Sequence, residues 1–389
     1  MYYVVIIGIN GRQGSSVAEA FMDVPGARIR GLTSSPKCAA SERWKQMGVE
    51  IREETFGDME HIKKSFEGAT FIFAMTSYHQ LLQDRRSKLA CEVGSVFSVY
   101  DFAMRREDNV GRMLLDAAAA TPGLQRLVMS TLPVVNPGNK YASHTARATY
   151  HAKRHHIRYM ASCLPALAAK TILVKPCMRM EDYRATLRMG ADGALSFGTT
   201  APPHVLLHWI NMKEDFGNLV RTIVLQSPSA GFAVAAYSDH VSGDDICALI
   251  SKISGLLCQY RQFTIGEMDG LGKTLVSDLL PDPSGSILYD PNVLTPAALN
   301  EYLKTYKVSV RQTPFEEYLK AVLPDHIASL KGGARDVSEA PRPVASPAHD
   351  DEDMLLLISK QPDGIPDAES AILRDVFMGF DRNWYGECT

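Results

Sequence analysis

Before residue 133 the chain alternates short apolar runs with longer amphipathic ones, and this alternation restricts its fold more than any other feature. "YVVIIG", "RIRGLTS", "VEIRE", "TFIFAMTS" and "LQRLVMST" read as strands. Between them lie "SVAEAFMD", "AASERWKQMG", "MEHIKKSFEG" and "RREDNVGRMLLDAAAAT", which read as helices. Gly26, Gly48 and Gly68 follow three of the helices, where a left-handed cap is needed. Strands and helices at this spacing predict a doubly wound parallel sheet, an α/β fold with helices on both faces.

After Pro133 the pattern loosens. "NPGNKYASHTA" reads as a loop, "RATYHAKRHHIRYMASC" as a helix and "AKTILVKP" as a further strand. From about Gly190 strand-like and helix-like pieces mix ("ALSFGTT", "GNLVRTIVLQS", "GFAVAAYS", "DDICALISKISG"), and "TPFEEYLKAVLPDHIASL" reads as a late amphipathic helix. The expected organisation is a nucleotide-binding domain over 1–180 and a smaller α/β capping region over 181–330, interwoven with it. A linker rich in Gly, Pro, Ala and Ser spans 331–353, and a tail spans 354–389. In the tail Ile372, Leu373, Val376, Phe377 and Phe380 share a helical face. Periodicity alone leaves open whether that face packs on its own domain or docks a protein partner.

The chemistry starts at "VVIIGINGRQGSS". Gly8, Gly11 and Gly14 separate the first strand from the first helix, a G-x-x-G-x-x-G spacing. The first glycine permits a tight turn, the middle one lets backbone approach a diphosphate, and the third lets helix and strand pack closely. The helix start then offers unpaired N–H groups and a partial positive charge to phosphate. An acid at the end of the second strand would accept from a ribose 2′-hydroxyl and favour NAD. Here that strand runs into "GLTSSPK". Thr33, Ser34 and Ser35 can hydrogen-bond a 2′-phosphate, and Lys37 and Arg12 can neutralise it. NADP(H) is therefore the expected cofactor, ahead of NAD(H).

Net charge is −3 over 389 residues, which excludes a strongly basic nucleic-acid footprint. No apolar run reaches the roughly 18 residues of a membrane span, and the N-terminus has no secretory pattern. The seven cysteines are scattered without a C-x-x-C pair, so neither a disulfide framework nor a zinc site is expected. A cytoplasmic setting, or a nuclear one, follows from that cysteine usage.

These residues resemble the NmrA-like family of atypical short-chain dehydrogenases. The likeness rests on "GINGRQGSS", "LTSSPK", "GVEIREETF", "FEGATFIFAMTSY", "LVMST", "YHAKRHHIRYM", "TILVKPCMRMEDY" and "HWINMKEDFG", in that order over roughly 3–325. It implies a Rossmann domain holding NADP(H), with a smaller C-terminal part closing a cleft. The family turn falls on Gly8, Gly11, Arg12, Gln13 and Gly14, with Asn10 inside it. The family's basic residue after the second strand falls on Ser34, and its acid near the adenine on Thr55. Thr76, Ser77 and Tyr78 match the loop beside the pyrophosphate and nicotinamide ribose. Lys153 matches the lysine that reaches that ribose and, in the enzyme branch, moves a proton. Pro176 and Cys177 match the loop beside the nicotinamide.

The short-chain dehydrogenase pair Tyr-x-x-x-Lys is replaced by Tyr150-His151-Ala152-Lys153. Residues i and i+3 of a helix still share a face, so Tyr150 and Lys153 are candidate acid–base groups, and His151, an imidazole that titrates near neutral pH, is a third. His144, His155 and His156 lie on the same helix without a metal-site pattern, and Ser130-Thr131 ends the fifth strand. The family divides into enzymes and cofactor-binding regulators. The expected function is an NADP(H)-dependent oxidoreductase acting on a small aromatic or polyketide-like metabolite. The alternative is a redox sensor that binds NADP(H) without turnover and acts through a protein partner.

Overall fold

A computed structural model of the chain describes residues 2–54, 56–83, 99–132, 144–227, 229–264, 267, 293–304 and 309–332. The first half is a strand–helix series. It runs β1 (Tyr2–Ile7), α1 (Arg12–Met22), β2 (Ala27–Thr33), α2 (Ala39–Gln46), β3 (Glu50–Glu53), α3 (Met59–Phe66) and β4 (Phe71–Ala74). Next come α4 (Tyr78–Gln83), α5 (Val99–Ala119), β5 (Arg126–Ser130), α6 (His144–Cys163), α7 (Pro165–Ala168) and β6 (Thr171–Pro176). The second half has β7 (Met178–Arg179), α8 (Tyr183–Thr186), β8 (Arg188–Met189), β9 (Leu195–Phe197), β10 (Leu207–Ile210) and α9 (Gly217–Gln226). It closes with β11 (Phe232–Ala236), β12 (Asp239–Val241), α10 (Gly243–Ser254), β13 (Cys258–Tyr260), β14 (Val293–Leu294), α11 (Pro296–Lys304) and α12 (Phe315–Gly332).

Eight strands form one sheet in the order β14-β11-β6-β5-β4-β1-β2-β3, and every pairing in it is parallel. The chain winds outward from β1 in one direction and from β4 in the other, so the strand order reverses between β1 and β4. Ligands of such sheets sit at this switch point, beyond the carboxyl ends of the strands. The sheet draws on both sides of residue 180, since β11 and β14 extend it after the capping strands have begun.

The "VVII" run is buried on both faces, as a central parallel strand requires. Val4 and Ile6 join a core with α1 and α9. Val5 and Ile7 join a second core with α3 and α5. The capping region has its own core, built by α10, α12 and the sheets β12-β10-β7 and β13-β9-β8. Phe315, Leu319, Leu323 and Ile327 are buried at helical spacing along α12. Two clamps tie segments after residue 180 to the main sheet and its helices. Ser16 of α1 donates its hydroxyl to Lys213 O and accepts the Gly217 N–H. Asp215, fully buried, accepts from Ser238 Oγ and from the N–H and hydroxyl of Thr313.

Cys163, the last residue of α6, is disulfide-bonded, which the scattered cysteine spacing did not lead us to expect. Cys38, Cys177, Cys247 and Cys258 are free thiols. No helix among the described residues is long and apolar enough to cross a membrane. The linker and tail expected over 331–389 lie outside the described residues, apart from the last two residues of α12.

Candidate functional site

β1 ends directly in the glycine turn. Gly8 adopts a φ of +71°, a region that favours glycine. Its N–H and that of Ile9 both reach Leu32 O at the end of β2, and Gly11 N–H closes the turn on Gly8 O at 2.8 Å. Gly14 leaves no room for a side chain, because a Cβ would lie 2.2 Å from Gly8 O and 2.9 Å from Ile9 Cα. Gly31 within β2 has the same restriction against the Ile9 side chain, a packing need that sequence reading missed. Gly11 caps α1 from extended backbone without any side-chain hydrogen bond, and the first turn carries no acid. The helix therefore presents uncapped N–H groups and its positive end beside the turn.

Asn10 organises the loop after β2. Its amide donates to Thr33 Oγ1 at 3.0 Å and to Ser41 Oγ at 2.8 Å, with Cys38 Sγ at 3.4 Å. Ser35 N–H also donates to Thr33 Oγ1, and Ser41 Oγ donates to Ser35 O. Thr33 is buried and supports the loop from beneath, while Ser34 and Lys37 stay exposed. Ser34 Oγ accepts from Gln80. Arg12 projects from the start of α1 and is largely exposed, with its guanidinium 4.0 Å from Glu181. The Gln13 side-chain oxygen is buried without a partner among the described residues. Thr55 lies outside the described residues, but its neighbour Glu54 does not. Glu54 N–H donates to Thr33 O, and burial pushes its carboxyl up to about 8 beside the Gly8 backbone. Nothing in "EIREET" marked Glu54 off from the acids around it.

The loop after β4 meets Lys153. The lysine ammonium donates to Thr76 O at 2.8 Å, to Thr76 Oγ1 and to Glu107 Oε1 at 2.9 Å. Thr76 Oγ1 itself donates to Glu107 at 2.7 Å. Lys153 is 7 % exposed and Glu107 0 %. An ammonium has three N–H groups, and here each has an acceptor from the protein. Ser77 is half-buried. Tyr78 is packed with Ala103 and is not open to solvent. Tyr150 and His151 precede Lys153 on α6, and their side chains lie outside the described residues. The side chain of His144 does too.

One turn on, His156 is fully buried with Nε2 3.1 Å from Glu107 O. Burial and the Lys153 charge hold it down at about 4, so it is a neutral core imidazole. Gly111 of α5 makes room for it, since a Cβ there would lie 2.1 Å from Nε2. Burial works to raise the neighbouring Asp108 carboxyl, yet the His155 hydrogen bond and the Arg112 charge hold it below the usual range. Glu107 and Asp108 escaped the sequence reading, although a glycine inside the helix, three residues on, signals a close neighbour.

The remaining candidates stand at the same edge of the sheet. Thr131 follows β5, is buried, and its hydroxyl finds no partner among the described residues. Pro176 ends β6 opposite Ala236, and Cys177 N–H donates to Ala236 O. Burial pushes the Cys177 thiol up to about 12, so it serves as a packed thiol and not as a nucleophile. Among the described residues no group of three His, Cys, Asp or Glu side chains could hold a metal ion.

Comparison with known proteins places the chain in a family and a fold. A family model described as NmrA-like matches residues 2–279. A curated protein of Cladobotryum sp., the NmrA-like family domain-containing oxidoreductase FrzB, is 21% identical over 277 residues, covering 67% of this chain and 76% of that protein. The negative transcriptional regulator NmrA, solved with NADP, superposes with a TM-score of 0.61 at 16% identity, covering 86% of this chain and 98% of that one. Its NAD complex gives 0.59 at 16%, covering 84% and 97%. The NADPH-dependent quinone oxidoreductase QOR2 of Escherichia coli, solved with NADPH, gives 0.58 at 16%, covering 82% and 99%. At these identities the superpositions establish a shared fold.

Proposed function

The chain belongs to the NmrA-like family, and on that premise we propose that it binds NADP(H) at the glycine turn and acts as an oxidoreductase on a small aromatic or polyketide-like metabolite. The observation that carries this reading is the uncapped start of α1, set behind a turn in which Gly14 has no space for a Cβ. Those N–H groups hold a diphosphate. Preference for the phosphorylated cofactor rests on the exposed Ser34 and Lys37 and on the lack of an acid between Thr33 and Cys38. Glu54, the nearest acid in the loop after β3, stays largely protonated at neutral pH and does not repel a phosphate. Relatives named as oxidoreductases, and neighbours solved with NADP, NADPH and NAD, support a nicotinamide dinucleotide here.

The bound nicotinamide supplies or accepts a hydride. The protein's own part is to hold the diphosphate at α1, to take the 2′-phosphate on the loop after β2, and to keep Thr76 in place through Lys153 and Glu107. One observation favours the second reading, a sensor without turnover that signals through a partner on the 354–389 tail. All three Lys153 protons are engaged inside the protein, so proton transfer through Lys153 requires that cluster to open.

Calorimetric titration with NADPH, NADP+, NADH and NAD+ tests the cofactor reading. NADPH should bind at least tenfold more tightly than NADH, and Lys37→Ala should narrow that gap. Equal affinity for all four would overturn the preference. Lys153→Ala separates enzyme from sensor, because an enzyme loses turnover far beyond its loss of cofactor affinity.

A further inference from the structure

Tyr237, His208 and His240 stand one strand beyond the Pro176–Cys177 turn. β11 ends at Ala236, hydrogen-bonded to Cys177, so Tyr237 emerges at the carboxyl edge of the sheet beside Cys177. Three strand spacings, about 14 Å, separate β1 from β6, and a fourth, about 19 Å in all, reaches β11. The diphosphate belongs over β1. A group at β11 therefore lies one strand short of the far end of the edge, which β14 forms, and past the family's nicotinamide loop.

The capping sheet brings two histidines to the same place. On β10, Leu207 and Trp209 are buried in the capping core. Side chains alternate along a strand, so His208 shares the opposite face with Ile210, which is buried in the main core. His208 thus turns back toward the large sheet. Its ring centroid is 4.6 Å from that of Tyr237, with the planes at 69°, and 6.0 Å from that of His240, at 25°. His208 and His240 are paired directly across β10 and β12. Asp239, the nearest acid in sequence, pairs with Trp209 on the other face, and its carboxylate accepts the N–H groups of His240 and Phe315.

The three rings differ in exposure. His208 and Tyr237 are half-buried, and His240 is open to solvent. Burial, and then the neighbouring His240, hold His208 down at about 4, so its ring is neutral. Burial, and then Cys177, push the Tyr237 phenol up against the lowering effect of a hydrogen bond from the Thr295 hydroxyl, so it keeps its own proton. No group among the described residues hydrogen-bonds the His208 ring nitrogens. Its nitrogens are not among the buried unpartnered atoms, so they remain open to water or to a ligand. The edge-to-face and stacked arrangement also gives a flat ring an aromatic surface to join.

We infer that Tyr237, His208 and His240 form the substrate shelf, and that it takes a flat, uncharged aromatic ring carrying a hydroxyl or carbonyl group. The shelf rests on the oxidoreductase reading and names the substrate contacts for it. Tyr237 donates to the ring substituent, His208 accepts from or donates to it through an otherwise unpartnered nitrogen, and His240 covers the outer side.

The test titrates 2-naphthol and 2-naphthoate into the full-length protein, with and without saturating NADPH, for the wild type, His208→Leu and Tyr237→Leu. The wild type should bind 2-naphthol saturably and at least tenfold more tightly than the anionic naphthoate. Each variant should lose at least tenfold in naphthol affinity while its NADPH affinity stays within twofold. Absence of naphthol binding to the wild type, preference for naphthoate, or wild-type naphthol affinity in both variants would overturn the shelf. Should the leucine variants fail to fold, Tyr237→Phe and His208→Gln carry the same test, with a threefold or greater loss expected and no loss overturning it. Failure of NADPH binding with an intact naphthol site would overturn the cofactor reading and leave the shelf standing.

Discussion

At the residue scale the structure turns on groups that fit only one way. Gly14 lies so close to Gly8 O that Gly14→Ala must move the turn. Overpacking of this kind costs typically about 1–3 kcal/mol, and the displaced N–H groups lose their aim. The expected result is a drop of more than tenfold in NADPH affinity by calorimetry, together with a lower unfolding midpoint. Unchanged binding would show that the turn has slack. Lys153 and Glu107 form a buried pair, and removing one partner of such a pair costs about 3–5 kcal/mol because the other charge is left behind. Lys153→Met and Glu107→Gln should each be strongly destabilising in urea titrations. The double variant should cost clearly less than the sum, since neither charge is then stranded. Strict additivity would mean that the pair is not coupled. The three glycines were legible in sequence because they share one local pattern, whereas Lys153 was singled out by the family resemblance. Glu107 was not legible, because its meaning comes from a contact with a residue 46 positions away.

At the element scale α5 and α6 pack with His156 set into the gap that Gly111 leaves. In an isolated helix Gly→Ala would be stabilising by about 1 kcal/mol. Here the added methyl would lie 2.1 Å from a ring that cannot withdraw, because it is fully buried and held on Glu107 O. Gly111→Ala should therefore lower stability, by about 1–3 kcal/mol if overpacking dominates. Gly111→Ala with His156→Ala should recover part of that loss, as read by chemical denaturation. A stabilised single variant would mean that α5 and α6 can slide apart. The helices and long strands of the first half were readable from periodicity, since each buries a face that recurs at a fixed interval. The capping strands are two to four residues long, too short to show a period. Their pairing, such as β7 alongside β10, depends on partners far away in the chain. The sequence also gave no sign that β11 and β14 would return to the large sheet.

At the scale of the whole molecule the buried titratable groups pull stability in opposite directions with pH, and Glu54 couples that balance to the site. His156 is held at about 4 in the fold against an ordinary 6.5. The unfolded chain therefore binds more protons between those values, and the stability tied to His156 is lost as pH falls from about 6.5 to 4. Glu54 is raised to about 8 from 4.5. In its case the fold binds the extra proton, so the associated stability is present below 4.5 and lost as pH rises toward 8. Each slope has a limit of about 1.4 kcal/mol per pH unit. The two oppose each other from 4.5 to 6.5, and above 6.5 Glu54 acts without that opposition. Glu54→Gln copies the protonated carboxyl. The stability difference, wild type minus Glu54→Gln, should hold constant below about pH 4.5, fall between 4.5 and 8, and level off above 8. The same group acts on the cofactor, because its carboxyl lies beside the Gly8 backbone where the diphosphate would bind. Once ionised it repels a phosphate. NADPH affinity in the wild type should therefore decline above pH 8, and in Glu54→Gln that decline should be absent. Parallel pH profiles for the two proteins, in stability and in NADPH binding alike, would show that Glu54 is ionised across the neutral range and that the turn tolerates its charge.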